Sequence, residues 1–397
     1  ASDLIGFQFY DYTRHFFSGA QRLFGVRATC QKGGLLALEV AEHRNVFIHI
    51  THNCIEQEYV VAEASQRAVQ KRAAEIRAKH DGKVIIGAID KLGRTSGILL
   101  KVRAYGHFLQ QYTQYRDKVV LILYIVARGS QMTSPEQFAI FEQAEQLATE
   151  INAEFGEGHI EVAHCLDTDR CGLFCVTDIL LETSLKDGLN LVPFEYLAAR
   201  DAFLRLEGTL REITEIYESN LFANFADDED SFGSSLMTNC RQTGRIVISE
   251  FTGSSQVLPG AVRVNPWNTD SILSGLDEAL TLPFAKANAN FIRDANYVAS
   301  QSQVNWAREF STQIIRAALA AKQSSSLPQA SSGPSSASSM TPRNFNMLEP
   351  AAYSALPRLN KDTVVGAFRK AKTRLLLLDN EGTLAPNLGR LYRHYGS

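Results

Sequence analysis

Neither sign of charge is in surplus in this sequence: 40 Lys and Arg stand against 43 Asp and Glu, for a net charge of −3. Without a basic excess the chain carries no electrostatic footprint for a nucleic acid, so a nucleic-acid partner is not expected. Long apolar runs are also missing. The longest, VVLILYIVA (Val119 to Ala127) and LLLL (Leu375 to Leu378), fall well short of the roughly 20 residues that a spanning helix needs. They read as buried parallel strands, and no membrane partner is expected. Cysteine is sparse. Cys30, Cys54, Cys165, Cys171, Cys175 and Cys240 are scattered through the chain, which argues for reduced thiols over a disulfide framework. Cys171 and Cys175 have the spacing of half a metal site, but no second pair lies nearby, so no metal is expected. His43, His49 and His52 lie in or beside a strand-like stretch and read as structural. The first residue is Ala1, and no charged-then-apolar leader follows it, so the sequence reads as starting inside a domain, with the cytoplasm as its expected location.

What is present has the rhythm of an α/β protein. YDYTRHFFSGAQRLFG (Tyr10 to Gly25) spaces Tyr12, His15, Phe16, Ala20, Leu23 and Phe24 as one helix face, with Gly25 as its stop. Leu35 to Ile50 alternates as two short strands, and Glu63 to His80 has the composition of one exposed helix ended by Asp81-Gly82. KVIIGAID (Lys83 to Asp90) is a β-branched run of the sort buried on both faces. A helix to about Gln114, the strand VVLILYIV, a helix over Pro135 to Phe155 and a strand near His159 to Ala163 follow. A short helix (Arg170 to Val176) and the strands DILLETS, RIVISEF and AVRVNP complete the series. This alternation predicts a doubly wound parallel sheet. Two stretches break it. Ala202 to Thr243, with the acidic run ADDEDSFGSS, reads as a surface insertion. Gln323 to Thr341 holds nine serines between Ser324 and Ser339, too few apolar groups to fold, and reads as a linker.

The chemistry concentrates in LLETSLKDGLNLVPFEYLAA, which reads strand, loop, helix. In such a sheet ligands sit beyond the carboxyl ends of strands, and unpaired amides at a helix start suit a diphosphate. Asp187 stands just before the expected helix start, where it either accepts bonds from sugar hydroxyls or caps the helix. Gly188 permits close approach to the backbone. Asn190 and Leu191 turn amides to the phosphates, and Glu195, about two turns on, has the reach to take both ribose hydroxyls. A D-G turn before a helix and a solvated Glu are the ordinary alternatives for this spacing.

Four blocks, in order, carry a resemblance. KDGLNLVPFEY (Lys186 to Tyr196) resembles the DGMNLVxxEY signature of trehalose-6-phosphate synthases. SDLIGFQFYDYTRHF (Ser2 to Phe16) is similar to the family's ADLIGFHTYDYARHF segment. ISEFTGSSQVLPGAVRVNPWN (Ile248 to Asn268) is similar to its SEFxGxxxxLxGAxxVNPWN block, and DNEGTLAP (Asp379 to Pro386) to the DxDGTLxP loop that opens a fused phosphatase domain. The wording is nearest the plant-type class II branch, many members of which keep the fold with little synthase activity. The resemblance implies a GT-B glycosyltransferase with two facing Rossmann-like domains. Positions 1–80 would be the end of the acceptor-side domain, and 81–322 the UDP-glucose domain with the insertion at 202–243. A linker at 323–345 and the truncated start of a haloacid-dehalogenase-like domain at 346–397 would follow.

The same resemblance implies transfer of glucose from UDP-glucose to glucose-6-phosphate with retention, and no cofactor. A magnesium ion enters only with a complete phosphatase domain. Association into a homo- or hetero-oligomer with other trehalose-synthesis subunits also fits it. Asp187 would contact the donor glucose, the backbone of Gly188, Leu189, Asn190, Leu191 and Val192 the glucose and diphosphate, and Glu195 the ribose. Arg128, in VARGS, would reach the acceptor phosphate. The family's DRLDYxKG motif, which supplies an Arg and a Lys to the UDP phosphates, here reads DKLGRTSG (Asp90 to Gly97). Lys91 keeps the charge but not the bidentate fork, Ser96 replaces the Lys, and Arg94 is the one nearby substitute. In the phosphatase loop, Asp379 would be the nucleophile and Glu381 stands where the general acid is an Asp. Two functions follow as expectations: a glucosyltransferase, or a weakly active relative that binds sugar nucleotides or sugar phosphates and regulates a partner.

Overall fold

The computed structural model describes residues 3–30, 36–40, 44–126, 135–165, 167–206 and 243–325. Arg128, Asp379 and Glu381, with His43, Cys240, most of the expected insertion and the bulk of the expected linker, lie outside the described residues. The chain divides into two units, Ala1–Pro328 and Gln329–Ser397, and only the first falls within the description.

Near the N-terminus, short strands with one covered face form a four-stranded sheet. Strands β1 (Leu4–Phe7), β2 (Arg27–Cys30), β3 (Leu36–Val40) and β4 (Arg44–Ile50) are arranged in the order β1-β4-β3-β2. β1 runs parallel to β4, and the other pairs are antiparallel. Helix α1 (Tyr10–Phe24) ends as the sequence predicts, at Gly25, which adopts a left-handed φ of 66° and donates its N–H to Gln21 O at 3.0 Å.

The single helix expected over Glu63 to His80 is instead two. Helix α2 (Gln57–Ala64) and helix α3 (Arg67–Lys79) meet at Ser65-Gln66, where Ser65 Oγ donates to Val61 O and Gln66 turns to an extended ψ of 138°. Nor is the stretch all exposed. Val60, Ala64, Val69, Ala73 and Ile76 join the core beneath the second sheet, ahead of the expected boundary at residue 81.

That second sheet is built from the continuous apolar runs. β5 (Val84–Lys91), β6 (Val119–Val126), β7 (Ile160–His164), β8 (Ile179–Glu182), β9 (Arg245–Ser249) and β10 (Val262–Val264) lie in the order β10-β9-β8-β5-β6-β7, every pair parallel. Helices α2, α3, α6 (Asp167–Val176), α7 (Val192–Leu206) and α9 (Phe284–Ser300) cover one face. Helices α4 (Ile98–Gln111), α5 (Pro135–Phe155) and α8 (Thr269–Thr281) cover the other. Helix α10 (Gln303–Ser325) returns to the first sheet, where Ala317 packs with Ala37 and Phe47. The doubly wound architecture is therefore as expected.

Its strand order reverses direction between β5 and β8, and in open sheets of this kind ligands sit beyond the carboxyl ends of the strands at such a reversal. Close approach at this seam demands glycine: a Cβ on Gly87 would sit 2.1 Å from Thr177 Oγ1.

One buried acid in the helical layer makes stability pH-dependent. Asp294 in α9 accepts from Gly260 N at 3.0 Å and pairs with Arg293 at 3.3 Å, so it pins the turn before β10. Burial raises its carboxyl to about 6 despite those partners. The fold thus binds this proton more tightly than the unfolded chain does. The contribution is complete below about pH 4 and is lost as pH rises through about 6. We expect Asp294→Asn to remove about 2 kcal/mol of the decline in unfolding free energy between pH 4.5 and 7.5. Parallel urea titrations of the two proteins with indistinguishable pH profiles would refute this.

Candidate functional site

Three loops meet at the carboxyl end of the parallel sheet. The loop after β5 (Leu92 to Gly97) accepts the N–H of Leu185 at 2.8 Å on Thr95 O. A left-handed Gly97 starts α4 there, and a Cβ on it would lie 2.6 Å from Thr183 O. The loop after β9 grips from the other side. Asp187 N donates to Phe251 O, Gly253 N to Asp187 O at 3.2 Å, and Ser254 N to Leu189 O at 2.8 Å. The loop between them, Thr183 to Leu191, carries the KDGLN motif.

Within that loop the sequence expectation is refined. Helix α7 begins at Val192, not directly after Gly188. The cap is Asn190, whose Oδ1 accepts from Val192 N at 3.0 Å, while its backbone takes the left-handed φ of 57° that Asn tolerates best after glycine. Gly188 is outside the left-handed region, and a Cβ there would meet nothing within 4 Å. The obligatory glycine is Gly253 instead, where a Cβ would lie 2.3 Å from Gly188 O and 2.4 Å from Phe9. Asp187 uses Oδ1 to accept from Leu189 N at 3.2 Å. The N–H groups of Gly188, Asn190 and Leu191 donate to nothing among the described residues. Three free amides therefore flank the Asp187 carboxylate, a concavity suited to an anion.

Glu195 lies in the first turn of α7, closer to the loop than the two turns expected. Its Oε2 is 3.0 Å from Arg170 Nη1 of α6, a pairing that sequence spacing gave no means of finding. The ion pair holds the carboxylate in one orientation beside the positive end of the helix. Lys91, at the end of β5, is exposed, and neither it nor Lys186 has an ion-pair partner among the described residues. Ser96 Oγ donates to Lys91 O. Arg94, the candidate substitute cation, is 84% exposed and bonded to Glu136 of α5. It is spoken for on the outer side of its loop.

Beneath the loops, Glu182 at the end of β8 is buried, and its Oε1 accepts both Ser184 N at 2.9 Å and Asn190 Nδ2 at 3.0 Å. From the N-terminal segment, Tyr12 of α1 donates its hydroxyl to Gly188 O at 2.9 Å. Burial, with Asp187 and Asp11 adding to it, raises that phenol. His52 stacks on Phe9 at 5.6 Å and lies 5.8 Å from Phe194 of α7. It is a packing residue, as expected, and His49 faces Glu309 of α10 at 3.7 Å. Cys171 and Cys175 are buried one turn apart in α6, and no group of three or more metal-ligating side chains occurs among the described residues. Among those residues no helix is long and apolar enough to cross a membrane.

The sequence profile described as Glycosyltransferase family 20 matches residues 1–316. The chain is 26% identical over 388 residues to the Arabidopsis thaliana protein named probable alpha,alpha-trehalose-phosphate synthase (UDP-forming) 11, a match that takes in 96% of this chain and 40% of that protein. It is 28% identical over 315 residues to the 56 kDa subunit of the Saccharomyces cerevisiae alpha,alpha-trehalose-phosphate synthase (UDP-forming), covering 78% of this chain and 54% of the subunit. The chain therefore spans about half or less of the length of these relatives. Among solved structures, the alpha,alpha-trehalose 6-phosphate synthase of Burkholderia multivorans superposes with a TM-score of 0.62 at 21% identity, over 80% of this chain and 60% of that one. The N-terminal domain of the Candida albicans trehalose-6-phosphate phosphatase superposes with a TM-score of 0.61 at 21% identity, over 79% and 58%.

Proposed function

The chain belongs to glycosyltransferase family 20, and from that premise we propose that it forms the donor side of a glucosyltransferase that moves glucose from UDP-glucose to glucose-6-phosphate in trehalose biosynthesis. The observation that carries this reading is the set of three free amides, Gly188, Asn190 and Leu191, between the carboxylates of Asp187 and Glu195 at the reversal point of the parallel sheet. The amides receive the diphosphate, Asp187 the glucose hydroxyls and Glu195 the ribose. Lys91 adds charge at the phosphates, and Arg128 belongs to the acceptor side. No protein nucleophile is needed. The acceptor hydroxyl attacks on the face from which UDP departs, the C1–O bond to UDP breaks, and the leaving phosphate takes up the hydroxyl proton. Catalysis then rests on orientation and on neutralising charge as it grows on UDP.

A second reading has its own support. With Ser96 bearing a hydroxyl, Lys91 lacking a guanidinium fork and Arg94 turned to Glu136, the phosphate side holds less positive charge than the reaction uses. Such a protein binds the sugar nucleotide without turning it over and regulates a partner. Calorimetry with UDP and UDP-glucose, followed by a UDP-release assay with glucose-6-phosphate, separates the two. Binding with release supports the enzyme, binding without release supports the regulator, and no binding sinks both. Glu195→Ala is expected to weaken UDP binding by about 1–3 kcal/mol, roughly five- to 150-fold, through loss of the ribose hydrogen bonds. An unaltered affinity would assign Glu195 to the Arg170 ion pair alone.

A further inference from the structure

Deepening that reading, we propose that Glu182 is the positioning residue of the donor loop, holding Asn190 so that the amides of Gly188, Asn190 and Leu191 point away from the protein. Four observations support it. First, Glu182 Oε1 is the acceptor for Asn190 Nδ2 at 3.0 Å and for Ser184 N at 2.9 Å, so one buried oxygen ties both ends of the loop to the end of β8. Second, Asn190 is the one non-glycine residue with positive φ among the described residues, and it caps α7 through Val192 N. An Asn without a side-chain anchor gains little from that conformation, so the anchor and the unusual backbone belong together.

Third, a second buried pair lies at the end of the neighbouring strand, β5. Lys101 Nζ of α4 is 2.6 Å from Asp90 Oδ2 at the end of β5, and both side chains are almost wholly enclosed. The Lys101 ammonium is paired with Asp90 and acts on Glu182 only through its charge. Burial raises the carboxyls of both Asp90 and Glu182, and Lys101 opposes this in each. Fourth, Glu182 Oε2 has no hydrogen-bond partner and is buried, a cost hard to explain if this side chain were present only to fill space. The Asn190–Glu182 bond thus ties the end of β8 to the cap of the donor helix.

The test separates Glu182→Ala from Glu182→Gln, which keeps an acceptor oxygen and the shape of the side chain. Amide hydrogen exchange in the unliganded protein reads the loop without any ligand. In Glu182→Ala the Val192 and Leu189 amides should exchange at least tenfold faster, and in Glu182→Gln at the wild-type rate. UDP affinity should fall roughly tenfold in the first and be retained in the second. Asn190→Ala should reproduce the affinity loss, and adding Glu182→Ala to it should weaken binding little further, as for residues acting in one chain. Unchanged exchange at Val192 in Glu182→Ala overturns the inference, whatever happens to UDP. Altered exchange in a protein whose wild type binds no UDP leaves Glu182 as the loop's anchor and overturns the donor reading instead. If Glu182→Ala does not fold, a Glu182→Gln variant with accelerated Val192 exchange also overturns the inference.

Discussion

Asp178→Ala is expected to destabilise the fold by about 3–5 kcal/mol, the range seen when one partner of a buried ion network is removed. Asp178 begins the turn into β8 and is fully enclosed. Its Oδ2 accepts from Ile85 N at 2.8 Å and from Arg77 Nη1 at 3.1 Å, and its Oδ1 accepts from Arg77 Nη2 at 3.0 Å and Arg200 Nη2 at 3.5 Å. One carboxylate therefore joins α3, α7 and the two central strands at the end of the sheet opposite the candidate site. Arg200 is only 2% exposed, so truncating Asp178 removes the charge that balances a guanidinium beyond the reach of water. Asp178→Asn should cost less, since it keeps one acceptor. A double variant, Asp178→Ala with Arg200→Met, should recover part of the loss because the more deeply buried of the two guanidiniums is then gone. Denaturant unfolding of the three variants checks this order, and a single-variant loss below about 1 kcal/mol would refute it.

That network was not visible in the sequence, for a physical reason. Arg77, Asp178 and Arg200 are about a hundred and about twenty residues apart, and each alone looks like an ordinary helix or turn charge. By contrast, β5 and β6 announce themselves in KVIIGAID and VVLILYIV, because strands covered on both faces must be apolar throughout. Pro135 to Phe155 was readable to the residue, its start set by a proline at the first helical position. The Glu63 to His80 stretch misled because α3 buries only three residues, and its Lys, Arg and Gln reach solvent past them. The break at Ser65-Gln66 has no glycine or proline to mark it.

The candidate site divides along the same line. Asp187, Gly188, Asn190 and Glu195 lie next to one another in sequence, so a motif can carry them. What shapes the loop does not. Glu182 reads as one more strand residue, Arg170 as a surface helix charge, and Tyr12 as an aromatic on an amphipathic face, yet each touches the donor loop or the first turn of α7 across 8, 25 or 176 positions. Asp-Gly is the stronger written signal, so the sequence points to a helix start earlier than Val192. Asn190 wins the cap because Glu182 holds its amide, a long-range contact that overrides a local one.

The second large effect concerns charge at the diphosphate. Ser96→Lys is expected to raise UDP release with UDP-glucose and glucose-6-phosphate by about a hundredfold or more, since one donor aimed at developing charge is typically worth 10² to 10³ in rate. Ser96 occupies the tight turn before Gly97, its side chain occupied only by Lys91 O, and a lysine there gives up one hydrogen bond. Its ammonium would enter a loop already fastened to the donor loop through Thr95 O and Leu185 N. The two nearby arginines do not fill the role: Arg94 is drawn to Glu136 and Arg170 to Glu195. Glu136→Gln tests the remaining possibility separately. If Arg94 is merely diverted, freeing it should strengthen UDP binding severalfold, and more so at low salt, as a surface charge pairing requires. If Ser96→Lys tightens UDP yet releases none, the missing cation limits donor affinity alone and the regulatory reading gains. If it restores turnover, the fold and its acceptor side are competent, and the serine is what restrains the reaction.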